Sequence, residues 1–330
     1  QRTGMRTWAV VNKSLRRIRR VGFRLRLAVF GPLQPRTRDF SGLFPPRVRL
    51  QRLAKGFRFT EGPLWSPEQG CLLFSDIPAD RIYRLDADGR ASVFKTPSGH
   101  SNGLTRDVAG RLIACEHGNR RVTVTETDGT LRVLADAYHG LRLNSPNDVV
   151  VGPDGAIYFT DPPYGVKPEQ RECPVQGVYR VDPVHGDIRL VADDFDRPNG
   201  LAFSPDGKRL YIDDSSARRH IRVFDVGNDG GLSNGRLLHD MRVPQRGAPD
   251  GMSVDAEGNV YCTGAGGVWV FNPDGEHLGT IRMPEKPSNC AWGDKDFRSL
   301  YITAPASVYR IRVSICLLYT SPSPRDGTKD

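Results

Sequence analysis

Six copies of one hairpin motif run along the chain, and they constrain its fold more than any other feature. Each copy has a polar residue, a short apolar strand, a turn that usually contains D-G, E-G or A-G, and a second apolar strand. The polar residues that open the six copies, here called the anchors, are Glu61, Asn102, Asn147, Asn199, Asp250 and Asn289. Their spacing of 39 to 52 residues, with several strands in each unit, is typical of a β-propeller.

A second hairpin follows the first in the repeat units, as in RIYRLDADGRASVF (81–94), where apolar and polar residues alternate around a D-G turn. Two hairpins make a four-stranded blade, so six units predict an all-β, six-bladed propeller. The last unit ends at SVYRIRV (307–313) without an outer strand. We expect RVRLQRLAKGF (47–57) to supply that strand and close the ring. A β-sandwich does not explain one motif repeated six times.

The positive charge of the chain is concentrated at its beginning. Of the 47 Lys and Arg residues, 11 lie in residues 1–40 with a single acid, Asp39, so the formal charge of +9 does not describe the rest of the chain. We therefore expect neither a nucleic-acid nor a membrane partner. We predict three parts: a basic leader (1–40) that is disordered or not native, the propeller (41–313), and a tail (314–330) whose CLLYTSPSPRD resembles a translated sequencing adapter. The scattered cysteines and the lack of a secretory signal predict a cytoplasmic protein, as a monomer or weak homo-oligomer.

The anchors are predicted to meet at one place. In five repeats the second strand ends 14 positions after the anchor, for example at Glu116, Asp161 and Asp213. Because the two strands of a hairpin are antiparallel, this residue lies at the same end of the hairpin as the anchor. If the first strand of each unit is innermost, the anchors surround the mouth of the central channel. Their side chains offer only carboxylate and amide groups, which favours Ca²⁺ before Mg²⁺. The opposing reading is that Asn-Gly and Asp-Gly are ordinary turn residues.

Seven segments resemble the gluconolactonase family, which also contains regucalcin: EGPLW (61–65), FSDIPADRIYR (74–84), CEHGNRRV (115–122), SPNDVVV (145–151), FTDPPYG (159–165), RPNGLAFSPDGKRLY (197–211) and APDGMSVDAEGNVY (248–261). The resemblance implies a six-bladed propeller with one divalent cation, usually Ca²⁺, with Mg²⁺, Mn²⁺ or Zn²⁺ as alternatives. It implies that Glu61, Asn199 and Asp250 bind the metal, and that Asn147 lies at its edge and reaches the substrate. One departure is Ser145, where regucalcin-like members have an Arg that contacts the sugar.

The resemblance implies hydrolysis of a small-molecule lactone, such as glucono-1,5-lactone. In this reading Asp250 is the general base and Asn147 positions the substrate or a water. Substrate contacts are expected from five further polar residues on the same rim: Glu116, His117, Asp161, Tyr164 and Asn102. Two alternatives stay open, a non-catalytic calcium-binding or interaction propeller and a metal-dependent esterase or phosphotriesterase. The roles of Asp213 and Asp214 also stay open.

Overall fold

Residues 31–315 are described by a computed structural model, and they form six four-stranded antiparallel blades around a channel. The prediction of a six-bladed propeller is therefore confirmed. The described chain begins with β1 (Leu33–Pro35), helix α1 (Arg38–Gly42) and β2 (Gln51–Lys55).

The strands follow the repeat units of the sequence, with the first strand of each unit innermost. Blade one consists of β3 (Thr60–Ser66), β4 (Cys71–Asp76), β5 (Arg81–Leu85) and β6 (Ala91–Lys95), and blade two of β7 (Ser101–Arg106), β8 (Leu112–Glu116), β9 (Arg121–Thr125) and β10 (Leu131–Ala135). A small hairpin of β11 (Ala137–Tyr138) and β12 (Leu141–Arg142) follows. Blade three consists of β13 (Val149–Val151), β14 (Ile157–Thr160), β15 (Val178–Val181) and β16 (Ile188–Ala192).

Blades four to six complete the ring. Blade four consists of β17 (Pro198–Phe203), β18 (Arg209–Asp214), β19 (His220–Val226) and β20 (Leu232–Asp240), and blade five of β21 (Met252–Val254), β22 (Val260–Gly264), β23 (Gly267–Phe271) and β24 (His277–Arg282). Blade six contains β25 (Asn289–Gly293), β26 (Ser299–Ala304) and β27 (Ser307–Arg312). Two short 3₁₀ helices, Ile77–Ala79 and Pro168–Gln170, lie in loops.

The ring is closed by the segment that the sequence predicts. Strand β2 pairs antiparallel with β27 and becomes the outer strand of the sixth blade, with Gln51 opposite Arg310 and Lys55 opposite Ser307. Because an early strand and a late strand share one sheet, the blade cannot form until both ends of the propeller meet.

The N-terminal segment adds one strand that the sequence analysis does not predict. Strand β1 pairs with β24 as a fifth strand of blade five, with Leu33 opposite Ile281, and Phe40 of α1 is fully buried. The described fold therefore includes part of the segment predicted as a leader. A three-residue strand that contains proline is too short to show an alternating pattern. The remaining leader (1–30) and most of the tail (316–330) lie outside the described residues.

Aromatic side chains pack between neighbouring blades. Trp65 stacks on Tyr301 across the first and sixth blades with ring centroids 5.6 Å apart, and Tyr261 meets the edge of Trp292 across the fifth and sixth at 5.0 Å. Such pairs contribute about 0.5–1.5 kcal/mol beyond the area they bury. Because they flank the sixth blade on both sides, they stabilise the place where the ring closes.

Two further expectations can be compared with residues 31–315. Cys71, Cys115, Cys173, Cys262 and Cys290 are free, buried thiols. No helix in this part of the chain is long and apolar enough to cross a membrane.

A buried histidine in the fifth blade makes the stability of the fold depend on pH. The His277 ring stacks on Trp269 at 4.3 Å, and its Nε2 lies 3.0 Å from the backbone oxygen of Gly279. Burial, and next the positive charge of Arg36, lower the pKa of His277 to about 4. Since the pKa is depressed in the folded state, the unfolded chain binds more protons between pH 6.5 and 4, and stability falls as the pH falls.

We expect His277→Phe to remove this part of the acid sensitivity. Relative to the variant, the wild type should lose about 2–3 kcal/mol of unfolding free energy between pH 7 and pH 4. Urea unfolding followed at several pH values measures the difference. The exposed His139→Phe is the control and should follow the wild type. Parallel pH dependence of wild type and His277→Phe would contradict the prediction.

Candidate active site

Five of the six anchors line one cavity of about 360 Å³ at an end of the channel, here called the site cavity: Glu61, Asn102, Asn147, Asn199 and Asp250. The sixth anchor, Asn289, lies behind this ring and lines a different cavity of about 260 Å³ in the channel. The predicted convergence of the anchors is therefore observed for five residues, and Asn289 supports the ring from behind.

Glycines next to the anchors bring neighbouring blades together. The backbone N–H of Gly200 donates to the backbone carbonyl oxygen of Asp250 at 3.0 Å, and that of Gly103 donates to the backbone carbonyl oxygen of Asn147 at 2.8 Å. A Cβ atom on Gly200 would lie 2.2 Å from the backbone carbonyl oxygen of Asp250 and would clash with it. The Asn-Gly and Asp-Gly pairs are therefore more than turn residues, because they let one anchor approach the next.

The anchor side chains form a chain of hydrogen bonds that ends at a carboxylate. Nδ2 of Asn102 donates to Oδ1 of Asn147 at 2.7 Å, and Nδ2 of Asn147 donates to Oδ1 of Asn199. Nδ2 of Asn199 then donates to Oδ1 of Asp250 at 2.8 Å. Each amide orients the next one, so the direction of the Asp250 carboxylate is set by three blades.

Two carboxylates of the site cavity share an unfavourable environment. Glu61 is 4% exposed, and its pKa is raised well above the usual value by burial and then by Asp250 and Asp148. Burial also raises the pKa of Asp250, while Lys286, with Nζ 3.5 Å from Oδ2, and the hydrogen bond from Asn199 lower it. Buried like charges of this kind are stabilised when a cation lies between them.

Asp148 is a third carboxylate close to this pair, and the sequence analysis does not select it. It directly follows the anchor Asn147, whereas four other anchors are followed by glycine. Its Oδ2 accepts a hydrogen bond from Nδ2 of Asn289 at 3.2 Å, and burial raises its pKa to about 7. The departure from glycine is the sequence signal that could have identified it.

The donor set fits a hard divalent cation better than a soft one. Glu61, Asn147, Asn199 and Asp250 offer carboxylate and amide oxygens, which are the ligands that Ca²⁺ and Mg²⁺ prefer. Among residues 31–315 no group of three or more His, Cys, Asp and Glu side chains is arranged to hold a metal. The oxygen donors among the anchors that line the site cavity are two carboxylates, Glu61 and Asp250, together with amides.

His117 and Tyr164, predicted to contact substrate, both line the site cavity. Nδ2 of Asn102 lies 3.1 Å from Nε2 of His117, and burial lowers the pKa of His117 to about 4, so the ring is neutral near pH 7. A neutral Nε2 can accept the hydrogen bond from the Asn102 amide. The hydroxyl of Tyr164 is hydrogen-bonded to Ser215.

Glu116 and Asp161 were also predicted to contact substrate, but the structure places both outside the lining of the site cavity. Asp161 accepts hydrogen bonds from the backbone N–H groups of Asn144 and Ser145, each at 2.7 Å. Glu116 is held by the side chains of Arg121, Asn119 and Thr123. Their carboxylates are occupied in fixing the loops of the rim.

The same device resolves the roles of two neighbouring acids. Asp214 accepts hydrogen bonds from the backbone N–H groups of Asp196 and Arg197, which precede the anchor Asn199 as Asn144 and Ser145 precede Asn147. Pro198 pairs with Asp214, because the turn of this hairpin (204–209) is one residue longer than the corresponding turn of the second blade (107–111). The rim position predicted for Asp213 therefore belongs to Asp214.

Asp213 faces the interior instead. It is fully buried, its Oδ1 has no hydrogen-bond partner among the described residues, and its Oδ2 lies 3.8 Å from the Cys262 sulfur. Burial, followed by Asp250 and Asp148, raises its pKa well above the usual value. Asp213 is therefore a buried acid behind the site cavity.

The site cavity also contains residues that the sequence analysis does not select. Phe59, Ile77 and Pro249 give it an apolar wall, and Arg197 and Lys286 bring positive charge to its mouth. These five residues lie in loops outside the repeated hairpins or immediately before an anchor. A comparison of the repeats with one another therefore carries no signal for them.

Comparison with known proteins agrees with this architecture. The family model for the SMP-30/gluconolactonase/LRE-like region matches residues 59–306, which include all six anchors. The chain belongs to this family. The membership predicted from the seven sequence segments is thus confirmed.

Individual relatives cover most of the chain. A gluconolactonase of Zymomonas mobilis is 36% identical over 289 residues, which are 80% of this chain and 81% of the relative. A regucalcin of Xenopus laevis is 28% identical over 260 residues, or 76% of this chain and 85% of that one. The structure of a gluconolactonase from Xanthomonas campestris superposes with a TM-score of 0.78 at 36% identity, covering 86% of this chain and 95% of that one. The two gluconolactonases bear out the predicted enzyme class, a hydrolase of carboxylic ester bonds.

Proposed function

We propose that the chain hydrolyses a sugar lactone in the site cavity, with the help of one divalent cation. The observation that carries the proposal is the Asp250 carboxylate, which lines the cavity, is 14% exposed, and is oriented by the hydrogen-bond chain of the anchors. The gluconolactonase relatives from two bacteria support the choice of a sugar lactone.

Asp250 is the group best placed to accept a proton. Its Oδ1 accepts the hydrogen bond from Asn199 and its Oδ2 accepts a longer one from Nζ of Lys286 at 3.5 Å. Oδ2 keeps a second lone pair, which can take a proton from a water in the cavity. As the proton moves to Oδ2, the water oxygen forms a bond to the lactone carbonyl carbon. The bond between that carbon and the ring oxygen then breaks, the ring oxygen takes the proton from Asp250, and a hydroxy acid leaves.

The remaining anchors hold and orient the reacting groups. Glu61, Asn199, Asp250 and Asn147 would hold the cation, Ca²⁺ before Mg²⁺, Mn²⁺ or Zn²⁺, and the bound cation supplies Lewis-acid polarisation of the carbonyl. Asn147 positions the carbonyl end of the lactone. Oδ1 of Asn102 makes no hydrogen bond within residues 31–315, because only its Nδ2 is engaged, by Asn147 and His117. That oxygen can accept a hydrogen bond from a sugar hydroxyl.

We also propose that the protein works in the cytoplasm as a monomer or a weak homo-oligomer. Its five described cysteines are free, buried thiols, which suits a reducing compartment. Its partner is the small-molecule lactone.

The test is lactone hydrolysis by protein purified without metal, treated with a chelator and then supplied with each cation in turn. We expect glucono-1,5-lactone hydrolysis above the uncatalysed rate, reduced at least about tenfold by chelation and restored by one of the four cations. Aryl esters and phosphotriesters are assayed in parallel.

Three outcomes contradict the proposal in different ways. Full activity after chelation and metal-free purification excludes the cation. Faster turnover of aryl esters or phosphotriesters than of lactones favours an esterase or phosphotriesterase. Tight Ca²⁺ binding without turnover of any compound favours a non-catalytic calcium-binding propeller.

A further inference from the structure

We propose that the lactone substrate carries an anionic group, a carboxylate or a phosphate, at the end of the sugar remote from the carbonyl. This inference rests on the lactonase function proposed above. Its binding site is a cavity beside the site cavity, here called the side cavity, in which Arg197 and Arg219 supply the positive charge.

The two cavities adjoin each other. The side cavity has a volume of about 440 Å³ and shares Arg197, Ser215 and Ala248 with the lining of the site cavity. Cavities of several hundred Å³ are typical of small-molecule sites. The two cavities therefore meet at these three shared residues, and a ligand that lies over the anchors is next to the side cavity.

Arg197 is held in place at the boundary between the cavities. Its backbone N–H donates to Oδ1 of Asp214 at 3.2 Å, and its backbone oxygen accepts a hydrogen bond from the N–H of Ser215 at 3.0 Å. Its guanidinium carbon lies 5.9 Å from the centre of the Tyr164 ring. Within residues 31–315 this guanidinium forms no ion pair, so its charge is available to a ligand.

Arg219 lines the side cavity but not the site cavity. Its backbone has a φ of 43°, and its carbonyl oxygen accepts a hydrogen bond from the N–H of Met241 at 2.8 Å, which fixes the base of the side chain. The half-buried side chain has no ion-pair partner in the described part of the chain. The arginines on either side along the chain differ, because Arg218 lies 3.6 Å from Asp214 and Arg222 lies 2.6 Å from Asp194.

The side cavity is thus cationic overall. Against Arg197 and Arg219 stands one lining carboxylate, Asp196. Guanidinium groups bind carboxylate and phosphate oxygens with two parallel hydrogen bonds, which neutral sugar hydroxyls cannot match in strength. Two unpaired arginines beside a neutral sugar site therefore indicate a substrate with an oxyanion on its far end.

The geometry also fixes the direction of the substrate. Asp250 and Asn147 act on the carbonyl, so the carbonyl end lies over the anchors. Arg197 lines both cavities, so the terminal carbon of the sugar points across it towards Arg219.

The experiment measures binding separately from turnover. The first part compares the affinities of three hydroxy acids by calorimetry: gluconate, its 6-phosphate, and glucarate, which has a carboxylate at the same position. We expect the wild type to bind at least one of the two substituted acids about tenfold more tightly than gluconate. Arg219→Gln and Arg197→Gln should each reduce this preference to about twofold or less.

Turnover of the corresponding lactones gives the second readout. Arg219→Gln should raise KM for the anionic lactone about tenfold more than for glucono-1,5-lactone, while kcat for the two substrates changes in parallel. The matched control is Arg90→Gln, which removes the same charge from the exposed Asp86–Arg90 turn at the opposite end of the blades. It should leave both readouts unchanged.

The outcomes distinguish the two proposals. A wild type that binds gluconate as tightly as both substituted acids, or an Arg219→Gln effect that is equal for all three, overturns the anionic substrate. A preference for the 6-phosphate alone identifies a phosphorylated lactone, and a preference for glucarate alone identifies a dicarboxylic one. If the preference is present and depends on Arg219 but no lactone is hydrolysed, the anion site stands and the lactonase function is wrong.

Discussion

Replacing Asp250 by Asn is expected to lower kcat for lactone hydrolysis by about 10²- to 10⁴-fold, the usual contribution of a general base. The side chains have the same shape, and the amide can still meet Asn199. Asn cannot accept the proton that leaves the attacking water, however. Initial rates at saturating lactone and cation measure the loss.

Asp250 is also proposed to hold the cation, so the two roles have to be separated. If Asp250 acts as the general base, a higher cation concentration restores cation binding to Asp250→Asn but does not restore its kcat for lactone hydrolysis. Asp88→Asn is the matched control, since it makes the same change in an exposed turn at the opposite end of the blades. Activity of Asp250→Asn within about tenfold of the wild type at high cation would show that another group takes the proton.

Replacing Glu61 by Gln should change stability in opposite directions with and without cation. In the metal-free protein the Glu61 carboxylate is buried beside Asp250 and Asp148, and burial, followed by these two charges, raises its pKa. The neutral amide removes that repulsion, so the unfolding free energy of the metal-free variant should rise by about 1–3 kcal/mol. With Ca²⁺ the wild type gains a stability of RT ln(1 + [Ca²⁺]/Kd), and the variant gains less because the loss of a charged ligand raises its Kd.

Thermal unfolding in chelator and in millimolar Ca²⁺ gives the melting temperature of each protein without and with the cation. We expect Glu61→Gln to melt higher than the wild type in chelator and lower in Ca²⁺. Glu257→Gln, in an exposed turn of the fifth blade, is the control and should shift neither melting temperature. A variant that is less stable than the wild type in chelator, or that keeps the full Ca²⁺ shift, would contradict a cation site at Glu61.

The hydrogen bonds behind these two predictions tie several blades together. Asn102, Asn147, Asn199 and Asp250 belong to four consecutive units, and each side chain orients the next one. Substitution of Asn147 or Asn199 therefore changes the orientation of Asp250 as well as removing a ligand. A double variant of Asn199 and Asp250 should lower the activity by less than the product of the two single effects, because neighbours in one hydrogen-bond network are not independent.

The repeated hairpin determined the architecture, because each copy states its strands and turns locally and identical units stack in only a few ways. Five of the six anchors meet as the sequence predicts, since all share one position in the repeat. The same logic explains β2, whose alternating residues and missing partner strand are both visible in the sequence. Where the repeat is interrupted, the prediction weakens. The turn of the first hairpin in the fourth blade (204–209) is one residue longer than that of the second blade (107–111), which moves the rim position from Asp213 to Asp214. A one-residue shift turns one side chain inward and the other to the loop.

Every feature that recurs in the repeat can therefore be predicted from the amino-acid sequence: the strands, the turns, the ring and the anchors that converge on it. The features between the repeats depend on the packing of the blades against one another. This packing assigned Glu116 and Asp161 to loop fixation, brought Asp148 close to Glu61 and Asp250, and placed Arg197 and Arg219 on one cavity. The physical reason is that burial, the pKa of an acid and an unpaired charge depend on groups contributed by other blades, and no local pattern states which groups those are.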